Sequence, residues 1–257
     1  MRRLHLFEFE DQPWFPAMIR DCMTDYLSHV VNLFSIYESI VPILEKGVNK
    51  GQCCRIIDLG TGAGGGWPKL ADLLVQRLPS LQIVLTDFYP NTGALKRLVS
   101  NGNSIMKFES ASIDARDVPD RLQGLRTQFL SFHHFKIQDA RRILQNSVDA
   151  GQPIAIFEAQ KRDVAHFVQF ALSPLAVWLL TPAIRPFKWS RLFLTYLLPV
   201  VPLFVFWDGL VSVLRTYNED ELIELTRSLH EGDAFVWEIG ESRSGSIVIP
   251  YLLGYPR

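Results

Sequence analysis

Apolar positions recur with two different periods along this 257-residue chain, and the switch between them gives the first reading of the fold. Over 15–50, Ile19, Met23, Leu27, Val30, Val31 and Phe34, then Ile40, Ile43 and Leu44, fall at roughly helical spacing and predict a helical N-terminal segment. Beyond it, short runs that are apolar throughout alternate with amphipathic ones. CCRIIDL, LQIVLTD, 108–113, QFLSF and PIAIFEA read as five strands. WPKLADLLVQRL, with Pro68 in its first turn, NTGALKRLVSN and DARRILQNSVDAG read as the helices between them. Strands without an exposed face imply a parallel sheet covered on both sides. Near the C-terminus YNEDELIELTRSL carries a capping box at Asn218 and Glu221, and AFVWEIGE and SIVIPYLLGYP form a hairpin around Gly245.

Between the fifth strand and that hairpin, 165–215 breaks the pattern. FVQFALSPLAVWLLTPAI and LFLTYLLPVVPLFVFW carry no formal charge, and RPFKWSR separates them. Each is shorter than the ~20 residues a span needs, and prolines 174, 182, 199 and 202 interrupt them. Two spans would also carry the three cations of RPFKWSR to the far side of the membrane, against the positive-inside rule. The expectation is an apolar cap. It serves as a lid over a lipophilic acceptor, dips into a bilayer interface with Arg185, Lys188, Trp189 and Arg191 at headgroup level, or is extra helical core.

A net charge of -1 and a pI of about 6.6 leave no basic footprint for nucleic acid. Cys22, Cys53 and Cys54 are too few and too irregular for a disulfide framework, and no His/Cys spacing suggests a metal site. The acids in MRRLHLFEFEDQPWF argue against a secretion signal, so the expectation is a cytoplasmic protein, with 165–207 as a peripheral membrane contact.

The chemistry concentrates after the first strand. Gly60-Thr61-Gly62-Ala63-Gly64-Gly65 satisfies G-x-G-x-x-G, which a nicotinamide-dependent oxidoreductase also uses. Asp58 ahead of the glycines makes D-L-G-T-G-A-G, which resembles motif I of class I S-adenosylmethionine-dependent methyltransferases. The acid in ASIDARDVP and the late helix and hairpin resemble the same family over roughly 50–160 and 215–257. The resemblance implies an α/β fold with a Rossmann-like seven-stranded methyltransferase sheet whose last strand is antiparallel. It divides the chain into an N-terminal helical segment over 1–50 and a methyltransferase domain over 51–257, with the apolar helical insertion between strands five and six. Implied for S-adenosylmethionine are Gly60, Thr61, Gly62 and Gly64 along the methionine and ribose, with Asp58 orienting the turn or meeting the amino group. Asp87 takes the ribose hydroxyls, Phe88 lies against the adenine, and Asp114 with the Ala115 backbone reads its edge, with Asp117 competing for that role.

SFHHFKIQDARRILQNS resembles the His-Asp-Trp segment of plant phenolic O-methyltransferases, which implies His133 as general base or as a pocket-shaping group, with Glu158 orienting it. His134, Trp14, Asp208, Arg215 and Tyr217 are the candidate acceptor contacts, although Asp208 and Arg215 also fit a structural pair. Some 50 residues stand where the phenolic enzymes have a dimerisation domain, and the sequence sets no oligomeric state. The expected activity is methyl transfer to a small lipophilic acceptor, oxygen favoured. A non-catalytic partner subunit on the same fold is the other alternative. The oxidoreductase reading lacks a Tyr-x-x-x-Lys pair after the fourth strand.

Overall fold

A computed structural model describes residues 1–101, 105–245 and 247–257. Its centre is a seven-stranded sheet in the order β3-β2-β1-β4-β5-β7-β6. The strands are β1 (Arg55–Leu59), β2 (Gln82–Thr86), β3 (Met106–Phe108), β4 (Leu125–Phe129), β5 (Ile154–Phe157), β6 (Phe235–Ser244) and β7 (Ile247–Pro256). The first five pair in parallel, with Ile56 opposite both Ile83 and Leu125. β7 enters antiparallel between β5 and β6, Ile154 opposite Gly254. Ser246, which the sequence reading placed at the start of the last strand, lies outside the described residues.

Successive residues of β1 serve opposite faces. Ile56 packs into the core under α2 (Val41–Lys50) and α3 (Trp67–Arg77), with α4 (Thr92–Asn101) beside them. Ile57 packs into the core under α5 (Ile137–Asp149) and α10 (Glu219–Arg227). Burying both faces is why the alternation of a half-exposed strand is absent from the sequence. The capping box forms as expected, Asn218 Oδ1 accepting from Glu221 N and Glu221 Oε2 from Asn218 N, both at 2.9 Å.

Two strands differ from expectation. The third lies over Met106–Phe108 and not 108–113, because the chain leaves the sheet toward the cleft after Phe108. The fourth starts three residues earlier than QFLSF, and Phe132–His134 becomes a single turn of 3-10 helix at the sheet edge. The buried guanidinium of Arg126 sits inside that strand, donating to Asn146 Oδ1 at 2.8 Å and Ser147 Oγ at 3.2 Å.

A third core lies outside the sheet. α1 (Ala17–Leu33) packs through Cys22, Met23 and Tyr26 against Val177, Leu194, Val201 and Val205 of the insertion. The insertion holds α6 (Val164–Ala171), α7 (Ser173–Leu180), α8 (Trp189–Leu192), a π-helical turn over Phe193–Leu197, and α9 (Val200–Arg215). Asp25 of α1 binds Lys188 Nζ at 2.6 Å and also the buried Arg191. Lys188 and Arg191, expected at headgroup level, are thus turned inward, and Arg185 and Trp189 remain exposed.

Candidate functional site

A cleft of about 430 Å³ opens at the carboxyl ends of β1, β2 and β4, where open α/β sheets hold their ligands. Gly60, Thr61, Gly62, Ala63 and Gly65 form one wall, Asp87, Phe88, Asp114 and Ala115 a second, and α1 with the N-terminal strap (3–15) the third. The glycines take φ of +80° at Gly60, +56° at Gly62 and +102° at Gly64, where an L side chain is strained.

The turn spends its own amides. Gly60 N and Thr61 N both donate to Thr86 O at 3.0 Å, Gly62 N to Asp87 Oδ2 at 2.7 Å, and Gly64 N to Thr61 O at 2.9 Å. These four N–H groups are unavailable to a phosphate, although a Gly-rich turn opening a helix is the usual phosphate cradle. Two buried polar atoms of cleft-lining residues, Gln128 Oε1 and Ser131 Oγ, have no partner among the described residues.

Asp58 lies behind the turn and not among the cleft residues. Its Oδ1 accepts from Thr127 Oγ1 at 2.8 Å, and burial pushes the carboxyl up to about 6 against the pull of Trp67, Thr127 and Thr61. Of the two roles considered for it, this geometry is that of orienting the turn. Gly64 also stays off the cleft surface: a Cβ there would come within 2.4 Å of Leu98 Cδ2, so the residue serves packing against α4. Asp87 lines the cleft with both oxygens on backbone amides, Oδ1 accepting from Tyr89 N at 2.7 Å, and desolvation raises its carboxyl. Phe88 is exposed there. Asp114 is gripped by the Arg116 guanidinium at 2.7 Å, which lowers its carboxyl.

The two histidines part company. His133 is buried and absent from the cleft wall, with Nδ1 2.9 Å from Glu158 Oε2 and its backbone N donating to Glu158 Oε1 at 3.0 Å. His134 lines the cleft, with Nδ1 2.7 Å from both Asp11 Oδ1 and Glu8 Oε2. Burial opposes its charge, but those two carboxylates outweigh burial and hold the imidazole well above its ordinary range.

The other expected acceptor contacts hold the strap. Asp208 accepts from Phe9 N at 2.9 Å and Glu10 N at 3.0 Å. Arg215 binds Asp11 at 2.5 Å and Glu8 at 3.2 Å. Tyr217 donates to Phe135 O at 2.9 Å under the guanidinium of Arg3, 3.7 Å from its ring centre. Trp14 is 67% exposed beside Phe9 and Phe15. None of these four lines the cleft. Glu10, Asp11, Arg20, Asp21, Thr24 and Ser28 do, and sequence reasoning missed them all. The acids of EFED, too dense for a buried segment, were the available signal. Glu8, His133 and His134 each bring a metal-ligand atom within 4.8 Å of the others, but Arg215 and protonated His134 already balance the charges of Glu8 and Asp11.

No family model and no curated protein matches the sequence. Among solved structures, PigF with SAH matches at 13% identity and TM-score 0.53, over 96% of this chain and 63% of that one. An O-methyltransferase family protein from Burkholderia thailandensis matches at 15% and 0.51, over 92% and 59%. The fold is that of the class I methyltransferases. The methyltransferase fold here spans about three fifths of each of those two chains. A structure of putative Zn-dependent alcohol dehydrogenases from Rhodobacter sphaeroides matches at 11% and 0.51, over 91% and 98%. A fold shared across such different proteins does not choose the reaction; the site has to.

Proposed function

We propose that this chain is an S-adenosylmethionine-dependent methyltransferase acting on a small lipophilic acceptor, with oxygen favoured as the atom methylated. One observation carries the reading: four amides of the Gly-rich turn, which a dinucleotide's pyrophosphate would need, are spent inside the protein, one of them on Asp87. A diphosphate loses those four donors, whereas a sulfonium cation with a neutral adenosine does not need them. The likeness to an O-methyltransferase family protein and to PigF with SAH supports this.

Gln128 Oε1 and Ser131 Oγ supply unspent polar atoms for the amino-acid end of the cofactor. Each oxygen of Asp87 keeps a lone pair for a ribose hydroxyl. Phe88 offers a face to the adenine, and Asp114 with the Ala115 backbone flanks its edge. Bound there, S-adenosylmethionine supplies an activated methyl on a good leaving group. The chain's own task is then positioning and exclusion of water, with Leu27 and Val31 of α1 making an apolar wall.

In isothermal calorimetry the protein is expected to bind S-adenosylmethionine or its demethylated product and to give no signal with NAD. Asp87→Ala should weaken that binding by about 1.5–3 kcal/mol as charge-assisted bonds are lost. NAD binding without a signal from either sulfur nucleotide overturns the reading. The apolar exterior of α6–α9 supports a cytoplasmic enzyme that docks peripherally on a membrane and collects its lipophilic acceptor there.

A further inference from the structure

We infer that the N-terminal strap (3–15) enters a lipid surface together with the cap, so that docking on a bilayer fixes the third wall of the cleft. This rests on the membrane reading of the cap and adds the strap to it. The strap is turned inside out for a segment that meets water. Glu8 is 0% exposed, and Glu10 and Asp11 line the cleft. Leu4, Leu6, Phe7 and Trp14 are the side chains left outside, Phe7 at 50% exposure and Trp14 at 67%. Water favours the opposite arrangement; hydrocarbon favours this one.

Polar bonds from α9 hold the strap in that sense. Leu214 O accepts from Leu4 N at 3.0 Å, and Asp208 takes Phe9 N and Glu10 N. Ser212 Oγ donates to Glu8 Oε1 at 3.1 Å, and Arg215 Nε to Leu6 O at 2.6 Å. The same helix joins strap to cap. Phe204 packs on Phe9 and Phe15, with ring centres 4.6 and 5.0 Å apart, and Trp207 packs on Phe7 at 5.6 Å. Exposed Leu203 stands one turn before Trp207 on the same helix face, so the apolar exterior continues from the cap onto the strap.

A bilayer suits this surface better than a protein partner. α7 buries only Ser173 and Val177, although SPLAVWLL is apolar right round. A protein covers one face of such a helix, whereas lipid wets every exposed side. Trp14, Trp178 and Trp189 bring indoles to the surface, the side chain that favours a membrane boundary. Residues 164–207 contain no carboxylate, and Arg185 is exposed with none bound to it among the described residues, which suits a headgroup phosphate. Docking takes the outer side chains of the strap out of water and thereby holds Glu10 and Asp11 in the cleft wall. A cofactor that meets this wall already ordered loses less binding energy to ordering it.

The test uses the full chain with vesicles of phosphatidylcholine and phosphatidylglycerol. Vesicles should slow hydrogen exchange of amides 3–15 by about tenfold or more, and raise the affinity for S-adenosylhomocysteine by about threefold or more. Trp14→Ser, and separately Leu4→Ser with Leu6→Ser, should cut both effects to less than about half while keeping the affinity measured without vesicles. Vesicle binding with unchanged exchange over 3–15 leaves the cap docked and overturns the part assigned to the strap. No vesicle binding at all sinks the membrane reading and the strap with it. Dimerisation that protects the strap without lipid gives this face to a second copy and overturns the lipid assignment. Slower exchange at constant cofactor affinity overturns the coupling to the cleft. No affinity for S-adenosylhomocysteine in either condition takes that coupling down with the methyltransferase reading, while the exchange data still decide the docking.

Discussion

Asp58 is closed off from water at the end of β1 and carries the turn without touching the cleft. With its carboxyl raised to about 6 by burial, from an ordinary value near 4, it stabilises the fold fully below pH 4. That contribution is lost as pH rises through about 6, on the order of 3 kcal/mol for two units. Asp58→Asn keeps an oxygen for Thr127 and removes the titration. Urea midpoints at pH 5 and pH 8 should therefore lie closer together in the variant than in the parent; an unchanged gap refutes the assignment. Residues of this kind were half legible. Gly60, Asp87 and Asp114 follow from a local motif, and the geometry brings them to one cleft. The roles of Asp208, Arg215 and Tyr217 were hidden, because their partners lie 198 and 209 residues away in the strap or, for Tyr217, 82 residues back in the loop after β4, and no local pattern records such a contact.

At the level of elements, the parallel strands were readable wherever both faces are apolar, as in RIIDL and IAIF. LRTQF hid its strand because Arg126 and Gln128 are buried polar residues, one donating through Nη1 to α5 and the other facing the cleft. Gly124, just ahead of that strand, was also passed over. It sits at φ +144°, and a Cβ would come within 2.4 Å of the carbonyl oxygen of Arg55, which is backbone and cannot swing aside. Gly124→Ala should therefore cost about 1–3 kcal/mol in chemical denaturation, with cofactor affinity in the folded fraction preserved. A neutral substitution there means that β1 and β4 do not approach as closely as described.

For the whole molecule, the parallel sheet and its antiparallel last strand matched expectation, the first read from strands apolar on both faces and the second implied by the family resemblance. The apolar insertion was legible as an anomaly but its partner was not, since one helix face gives no sign of which distant helix it meets. No helix among the described residues is long and apolar enough to cross a bilayer; the pairs Val164–Ala171 with Ser173–Ala183 and Trp189–Leu197 with Val200–Arg215 bend by 44° and 77°. Outside them Leu172, Trp178, Leu179, Trp189, Phe193 and Leu197 are exposed. Burying such surface in an interface yields about 25 cal/mol per Å². With Lys188 and Arg191 bound to Asp25, little electrostatic attraction is left, so sedimentation with phosphatidylcholine/phosphatidylglycerol vesicles should resist salt and yield to detergent. Trp189→Ser with Phe193→Ser should weaken that association and spare cofactor binding; a wild type that ignores vesicles yet stays monodisperse leaves the cap as a substrate lid. The core shared by α1 and the insertion bears on inheritance as well as on location. A homologous cap grafted alone would leave the apolar side of α1 bare and Asp25 without its cations, while a new α1 alone would orphan Arg191. Changes of acceptor along a lineage built on this plan must then travel as a set, with strap, first helix and cap exchanged together while the glycine turn stays behind.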